Sequence, residues 1–282
     1  IKSITVNFTS QGEAKLAKNN STYLGIKNSL VEFKENTFYD ILEKAIKYNS
    51  GPLEHPHSLA YFLLCKEAKL KGKVLITGEG ADEILFGYNH YLNFHNHSFA
   101  FREFLNKRDE ALFGKNSFDV IRDTSKTNDL RNYSIKNILN SRDMEFKTHL
   151  LSLLRRNDRM GMANSIEIRS PFLDPRLINF VLNSNFHDLY KNKNNFMKSL
   201  YKNIYIQKNI LNRKKIGFRV PFDEFIFKNR NSQKLKSIIE MGIELINETS
   251  NLKLKNKKKI YLYPRLAWVL INLGVTKKMF FN

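Results

Sequence analysis

Four residues that could do chemistry fall within five positions of one another: Gly78, Glu79, Gly80 and Asp82. They follow Val74, Leu75 and Ile76, a short apolar run that reads as a buried parallel strand. The sequence then restarts as a helix from Asp82 or Glu83. A strand that stops at glycines and turns into a helix leaves backbone N–H groups free at its carboxyl end, where open α/β sheets bind anionic ligands. Gly78 and Gly80 let the backbone approach such a ligand. Glu79 and Asp82 place two carboxylates beside it, an arrangement that suits a phosphate only with Mg²⁺ between them. The same spacing also suits an ordinary strand–turn–helix whose acids favour the helix N-terminus.

The elements around this turn follow from periodicity. Ile4 to Phe8 reads as a strand, Glu13 to Leu24 as a helix closed by Gly25, and Asn28 to Phe33 as a second strand. Thr37 is expected to cap a helix, with Asp40 at the capping-box position and Phe38, Ile41, Leu42 and Ala45 on one face. Gly51-Pro52 breaks that helix, and Ser58 to Lys69 forms the next. Strand and helix alternate, which predicts an α/β fold with a parallel, doubly wound sheet. After Tyr91 helical periods dominate. Phe146, Leu150, Leu153 and Leu154 form one stripe, and Asp174-Pro175 opens a helix carrying Leu177, Phe180 and Val181. Pro264 opens a last helix with Leu266, Val269, Leu270 and Leu273. The expected organisation is a nucleotide-binding α/β part over residues 1–95 and a mostly helical part over 96–282 that completes the site.

Bulk properties narrow the partners. The 282 residues are 42% hydrophobic, enough for a real core in one or two domains. Residue 1 is Ile rather than Met, so the chain is expected to start inside a longer reading frame. The formal charge of +20 is spread through a chain rich in Asn, Ile and Lys, and only Lys253 to Lys259 is dense. That pattern reads as solvated surface, so no nucleic-acid partner is expected. No apolar run approaches the ~18 residues of a membrane span, so no membrane partner is expected either. Cys65 is the single cysteine and sits in an apolar helical pattern, which predicts a packed thiol in a reducing, cytoplasmic setting.

Three stretches, in order, resemble the synthetase domain of the asparagine synthases. Lys73 to Tyr91, K-V-L-I-T-G-E-G-A-D-E-I-L-F-G-Y-N-H-Y, resembles that family's G-E-G-A-D-E-L-F-G-G-Y. Asp158 to Asp174, D-R-M-G-M-A-N-S-I-E-I-R-S-P-F-L-D, resembles its D-R-M-S-M-A-x-S-x-E-x-R-x-P-F-L-D. Arg213 to Pro221, R-K-K-I-G-F-R-V-P, resembles its R-x-K-x-G-F-x-x-P. The resemblance implies an ATP-pyrophosphatase type of sheet and ATP-dependent amide formation: a carboxylate is activated as an acyl-adenylate, and ammonia displaces AMP. It implies ATP and Mg²⁺ as cofactors, a small-molecule carboxylate and ammonia as substrates, and a glutaminase domain or subunit as a partner.

Residue by residue, the resemblance assigns Val6 to the adenine and Thr77 and Gly78 to the nucleotide, with Gly80 in the same turn. It makes Glu79 the catalytic glutamate that promotes adenylation and the ammonia step, and Asp82 the Mg²⁺ ligand. Lys215 becomes the catalytic lysine that reaches pyrophosphate, assisted by Arg213 and Lys214. Asp158 would hold the substrate's amino group. Glu167 and Arg169 are expected to form a structural ion pair, and His55 and His57 to pack at a helix entry.

Departures from the pattern matter. Phe86 replaces a glycine and Gly161 a serine. The family's S-G-G-x-D-S pyrophosphate loop occurs nowhere in these 282 residues, and neither does its N-terminal cysteine nucleophile. The chain by itself is therefore expected to be inactive. A sugar-acid or peptide acceptor, ring closure, and a non-catalytic nucleotide-binding role remain open beside aspartate amidation.

Overall fold

A computed structural model describes residues 1–7, 13–85, 146–184, 220–250, 260–261 and 264–281. Strand β1 (Lys2–Asn7) leads to helix α1 (Glu13–Tyr23) and then β2 (Lys27–Glu32). A 3-10 turn (Glu35–Thr37) precedes α2 (Phe38–Asn49), which is followed by α3 (His57–Lys69), β3 (Val74–Ile76) and the one-turn α4 (Ala81–Ile84). The second described stretch holds a π turn (Phe146–Leu150), α5 (Leu151–Met162), β4 (Glu167–Arg169), a 3-10 turn (Pro171–Leu173) and α6 (Pro175–Asn183). Helices α7 (Phe222–Asn229), α8 (Gln233–Thr249) and α9 (Pro264–Phe280) follow.

The fold is mixed α/β and mostly helical. Among the described residues the strands pair as two small parallel sheets. In one, β1 runs beside β2 with Val6 opposite Val31; in the other, β3 runs beside β4 with Leu75 opposite Ile168. Helix α3 packs against β1, β2 and β3, so one apolar helix serves both sheets. The expected domain boundary at residue 95 lies outside the described residues.

Local chemistry explains most element ends. Gly25 follows α1 with φ of +64°, and the Ile26 amide donates back to the Ser21 carbonyl at 2.7 Å. Asp174 caps α6 by accepting from the Arg176 amide at 2.9 Å, with Pro175 in the first helical position. Two sequence expectations need correction. Thr37 does not cap α2 with its side chain: its hydroxyl donates to the Lys34 carbonyl at 2.8 Å, which stabilises the preceding 3-10 turn instead. Phe180 does not pack behind the Asp174-Pro175 turn. Val181, one helical turn on from Leu177, is the buried residue, and Phe180 faces outward.

The core gathers α2, α3, α7, α8 and α9. Phe38 of α2 stacks on Phe225 of α7 at 4.0 Å between ring centroids, and Phe222 meets Trp268 of α9 edge-on at 5.1 Å. Helices α8 and α9 approach backbone to backbone. A Cβ at Gly242 would land on the Leu270 carbonyl, and one at Gly274 on the Ile238 carbonyl. Asn272 of α9 is buried; its side-chain oxygen accepts from the Leu53 amide at 3.1 Å and its amide nitrogen donates to the Trp268 carbonyl at 2.9 Å. This amide ties the last helix to the loop that enters α3.

Candidate active site

The turn after β3 is held from both sides. The Thr77 amide donates to the Arg169 carbonyl at 2.9 Å and so prolongs the β3–β4 ladder past the strands' ends. The Thr77 and Ser170 hydroxyls lie 3.2 Å apart. Gly80 adopts a φ of +93°, which side-chain-bearing residues avoid, and caps α4. A Cβ there would strike the Leu173 side chain, so the G-E-G-A-D turn and the P-F-L-D turn are packed against each other. Gly78 differs: it is exposed and a Cβ on it would meet nothing. Its backbone faces open space.

Glu79 points inward. Its Oε1 accepts from the Tyr61 hydroxyl of α3 at 2.5 Å and forms a short ion pair with Nη2 of Arg156 from α5. The Arg156 guanidinium lies 3.9 Å from the centroid of the Tyr61 ring. Arg156 also donates to the Asn157 side-chain oxygen from Nε at 3.3 Å and from Nη2 at 3.1 Å. Asn157 Nδ2 is buried with no hydrogen-bond partner among the described residues. Burial first, and then the charge of Glu79, push the Tyr61 phenol upward, so it donates to Glu79 and stays protonated.

The remaining expected site residues scatter. Asp82 lies in the first turn of α4, partly exposed. The adjoining Glu83 is buried, with its Oε1 3.8 Å from His149 Nδ1. Val6 is buried in β1, a strand against which α3 packs. Asp158 is two residues past Arg156 on α5 and faces solvent. Arg213, Lys214 and Lys215 lie outside the described residues. The expected Glu167–Arg169 pair forms, Nε to Oε1 at 2.8 Å, on the surface. Cys65 is fully buried and burial pushes its thiol up to about 12, which leaves it inert.

His55 and His57 do flank the entry to α3, but with company. The His55 ring lies 6.1 Å from His57 and 6.3 Å from His149 between centroids. Burial, then His149, Arg156 and Arg265, lower His55 to about 4. Burial, then His55, Arg156 and His149, lower His57 to about 4. Among the described residues no group of three His, Cys, Asp or Glu side chains has metal-binding geometry. Asp82 is a partly exposed carboxylate, the donor type that Mg²⁺ takes one or two of, with phosphates and water as its other ligands.

Sequence reasoning missed Tyr61, Arg156 and Asn157. A signal existed on α5. Leu153, Arg156, Asn157 and Met160 share one helical phase and are all buried, so a guanidinium sits in line with apolar residues. A buried arginine demands a buried acid.

Comparison with known proteins decides the lineage. The family model described as asparagine synthase matches residues 1–265. The chain belongs to the asparagine synthase family. Within it, the chain is 26% identical over 334 residues to asparagine synthetase [glutamine-hydrolyzing] 1 of Bacillus subtilis (strain 168). That match covers 97% of this chain and 52% of the relative, so the chain spans about half the relative's length. All three motif resemblances begin within the stretch assigned to the asparagine synthase family, and so does the Glu79–Arg156–Tyr61 cluster. No helix among the described residues is long and apolar enough to cross a membrane.

Proposed function

We propose that this chain carries the ATP-dependent half of an amide-forming synthetase, converting aspartate and ammonia to asparagine with release of AMP and pyrophosphate. The observation that carries this reading is the turn at Thr77 to Gly80. Gly78 leaves backbone open to a nucleotide, while the next residue, Glu79, is held by a buried arginine and a tyrosine. An acid fixed by two donors is aimed before substrate arrives, the preorganisation that amide chemistry requires.

Thr77, Gly78 and Gly80 hold the triphosphate in this reading, and Val6 meets the adenine. Glu79 orients the incoming amine and receives its proton. Mg²⁺, held through Asp82 when bound, would neutralise phosphate charge. Lys215 and Arg213 reach the departing pyrophosphate, and Asp158 meets the acceptor's amino group. The family's glutamine-hydrolysing relative points to a glutaminase domain or subunit as ammonia source. The cytoplasm, where the lone buried thiol suits a reducing setting, is the proposed location.

The same reading joins the two sheets. We place β1–β2 and β3–β4 as flanks of one doubly wound, ATP-pyrophosphatase type sheet, with β1, β2 and β3 in an N-terminal part reaching residue 95 and β4 added from beyond it. Both pairs are parallel, α3 packs on strands of both, and Val74 and Ile76 leave β3 exposed. The strand between them would come from a segment or subunit bearing the S-G-G-x-D-S loop.

Pyrophosphate release from ATP, with aspartate and ammonia, tests the assignment in protein expressed with whatever precedes residue 1 in its reading frame. Release that Lys215→Ala abolishes supports it. No release with a panel of carboxylates would sink it and favour a non-catalytic nucleotide-binding role.

A further inference from the structure

Parallel pairing carries one row of side chains past the ends of β3 and β4. Ile76 sits opposite Arg169, so Thr77 and Ser170 come next in register. Side chains alternate along a strand, which puts Thr77 on the face of Leu75 and Ser170 on the face of Ile168. Leu75 and Ile168 pack against the core, whereas Val74 and Ile76 stay exposed. The inward row is therefore apolar within the strands and turns to a pair of hydroxyls at their carboxyl ends, beside Gly78. The Thr77 and Ser170 hydroxyl oxygens are 3.2 Å apart, and either can donate to the other. Ser170 occupies the N-cap position of the Pro171–Leu173 turn, yet its side chain does not cap that turn. Among the described residues, Thr77 is the one hydrogen-bond partner of the Ser170 hydroxyl, and the Gly78 amide has none. Two hydroxyls that share one bond keep one proton free, so this corner offers a hydroxyl and an amide to an incoming oxyanion. The family pattern E-x-R-x-P leaves position 170 open, and the resemblance assigns it no task.

We propose that Ser170 is a positioning residue for nucleotide binding. Its hydroxyl donates to Thr77 Oγ1 and so turns the Thr77 proton toward a phosphate oxygen that also meets the Gly78 amide. The proposal rests on the nucleotide reading above and adds to it a residue from a second strand. Without a ligand, the pair can present its free proton from either oxygen. A bound oxyanion at the Gly78 corner fixes the direction, because only the chain from Ser170 through Thr77 ends on its negative charge. Each bond in such a chain polarises the next, and the last is charge-assisted. The bond from the Thr77 amide to the Arg169 carbonyl, at 2.9 Å, holds the backbone beneath both hydroxyls. What this corner recognises is a phosphate oxygen, so adenosine should be indifferent to position 170.

Titration calorimetry with ATP and with adenosine tests this, in protein expressed with whatever precedes residue 1 in its reading frame. Ser170→Val should weaken ATP binding about fivefold, the loss of one hydrogen bond, and leave adenosine unchanged. Ser170→Thr matches the valine variant in shape but keeps the hydroxyl, and should bind ATP like the parent. The backbone there is extended, with φ of −118° and ψ of 90°, which β-branched residues accept. In a Thr77→Val background, Ser170→Val should have no further effect, because the two act through one proton. In pyrophosphate release, the loss should appear in KM for ATP rather than in kcat. Equal ATP affinity in the valine and threonine variants, or an equal loss for adenosine, would overturn the proposal and reduce the pair to a staple between strands. ATP affinity that follows the hydroxyl in a protein that never releases pyrophosphate would keep Ser170 and remove the synthetase. Release whose KM for ATP ignores position 170 would do the reverse.

Discussion

Arg156 and Tyr61 touch each other and the same atom: the guanidinium lies over the phenol ring at 3.9 Å, and both donate to Oε1 of Glu79. The contact joins α3, α5 and the turn after β3. Removing Arg156 strands Glu79, whose side chain is only 16% exposed, without its counter-charge. Arg156→Met should cost about 3 kcal/mol, in the range for breaking one side of a buried pair. Arg156→Lys should restore only part of this, since an ammonium cannot make the flat stack and the fork together. Urea unfolding measures both. A lysine variant as stable as the parent would show that the stack contributes nothing.

Tyr61→Phe keeps the ring beneath Arg156 and deletes one donor to Glu79. The expected loss is about 1–2 kcal/mol. Combined with Glu79→Gln, the two effects should not add, because they act on one hydrogen bond. Additivity in that double-mutant cycle would mean that the hydroxyl serves another partner.

Acid should weaken the fold before its carboxylates titrate. His55 and His57 have ordinary values of 6.5 and are lowered to about 4 in the folded chain, first by burial and then by their neighbours. Between pH 6.5 and 4 the unfolded chain takes up protons that the folded chain refuses, so stability is full above 6.5 and falls towards 4. The facing groups are His149, Arg156 and Arg265, with Glu83 beside His149 and Glu54 next to His55 in the chain. The combined loss is on the order of a few kcal/mol. Urea midpoints at pH 7 and 5 should differ clearly in the parent and much less in a His55→Gln, His57→Gln double variant. An equal difference in both proteins would contradict the assignment.

The two glycines of the turn should respond oppositely. Gly80→Ala forces a side chain into φ of +93° and into Leu173, and should cost about 2 kcal/mol or more. Gly78→Ala meets open space and should leave the unfolding midpoint nearly unchanged. If Gly78 faces phosphate, its alanine variant should instead lose nucleotide affinity, read by titration with ATP in the synthetase-competent protein. Unaltered ATP binding would remove Gly78 from the site.

Much of this architecture was legible as periodicity. The apolar face of α2, the Gly25 stop, the Asp174-Pro175 start and the β3 turn all rest on local rules, and the residues obey them. Thr37 failed because a hydroxyl can bond forwards to a helix or backwards to a turn, and the sequence is alike in both cases. Phe180 failed because phase, not hydrophobicity, decides which side faces inward. The motifs named Glu79 but not what grips it. Tyr61 and Arg156 come from helices 18 and 77 residues away from it in sequence, and only the fold brings them together. Periodicity identified β1, β2 and β3 but missed the three-residue β4, too short to show an alternation, and among the described residues the strands pair two by two rather than as one continuous sheet.

Asn272 carries an implication for how the chain is made. Its side chain is the acceptor for the Leu53 amide, 219 residues earlier, in the loop that enters α3. On a ribosome, that amide is synthesised long before its acceptor exists, and in the interim only water can satisfy it. The early α/β elements can pair as they emerge, but this loop stays unsealed until the closing helix docks. A nascent chain halted before residue 272 should therefore be open to protease at Pro52 to His55, and the completed one closed.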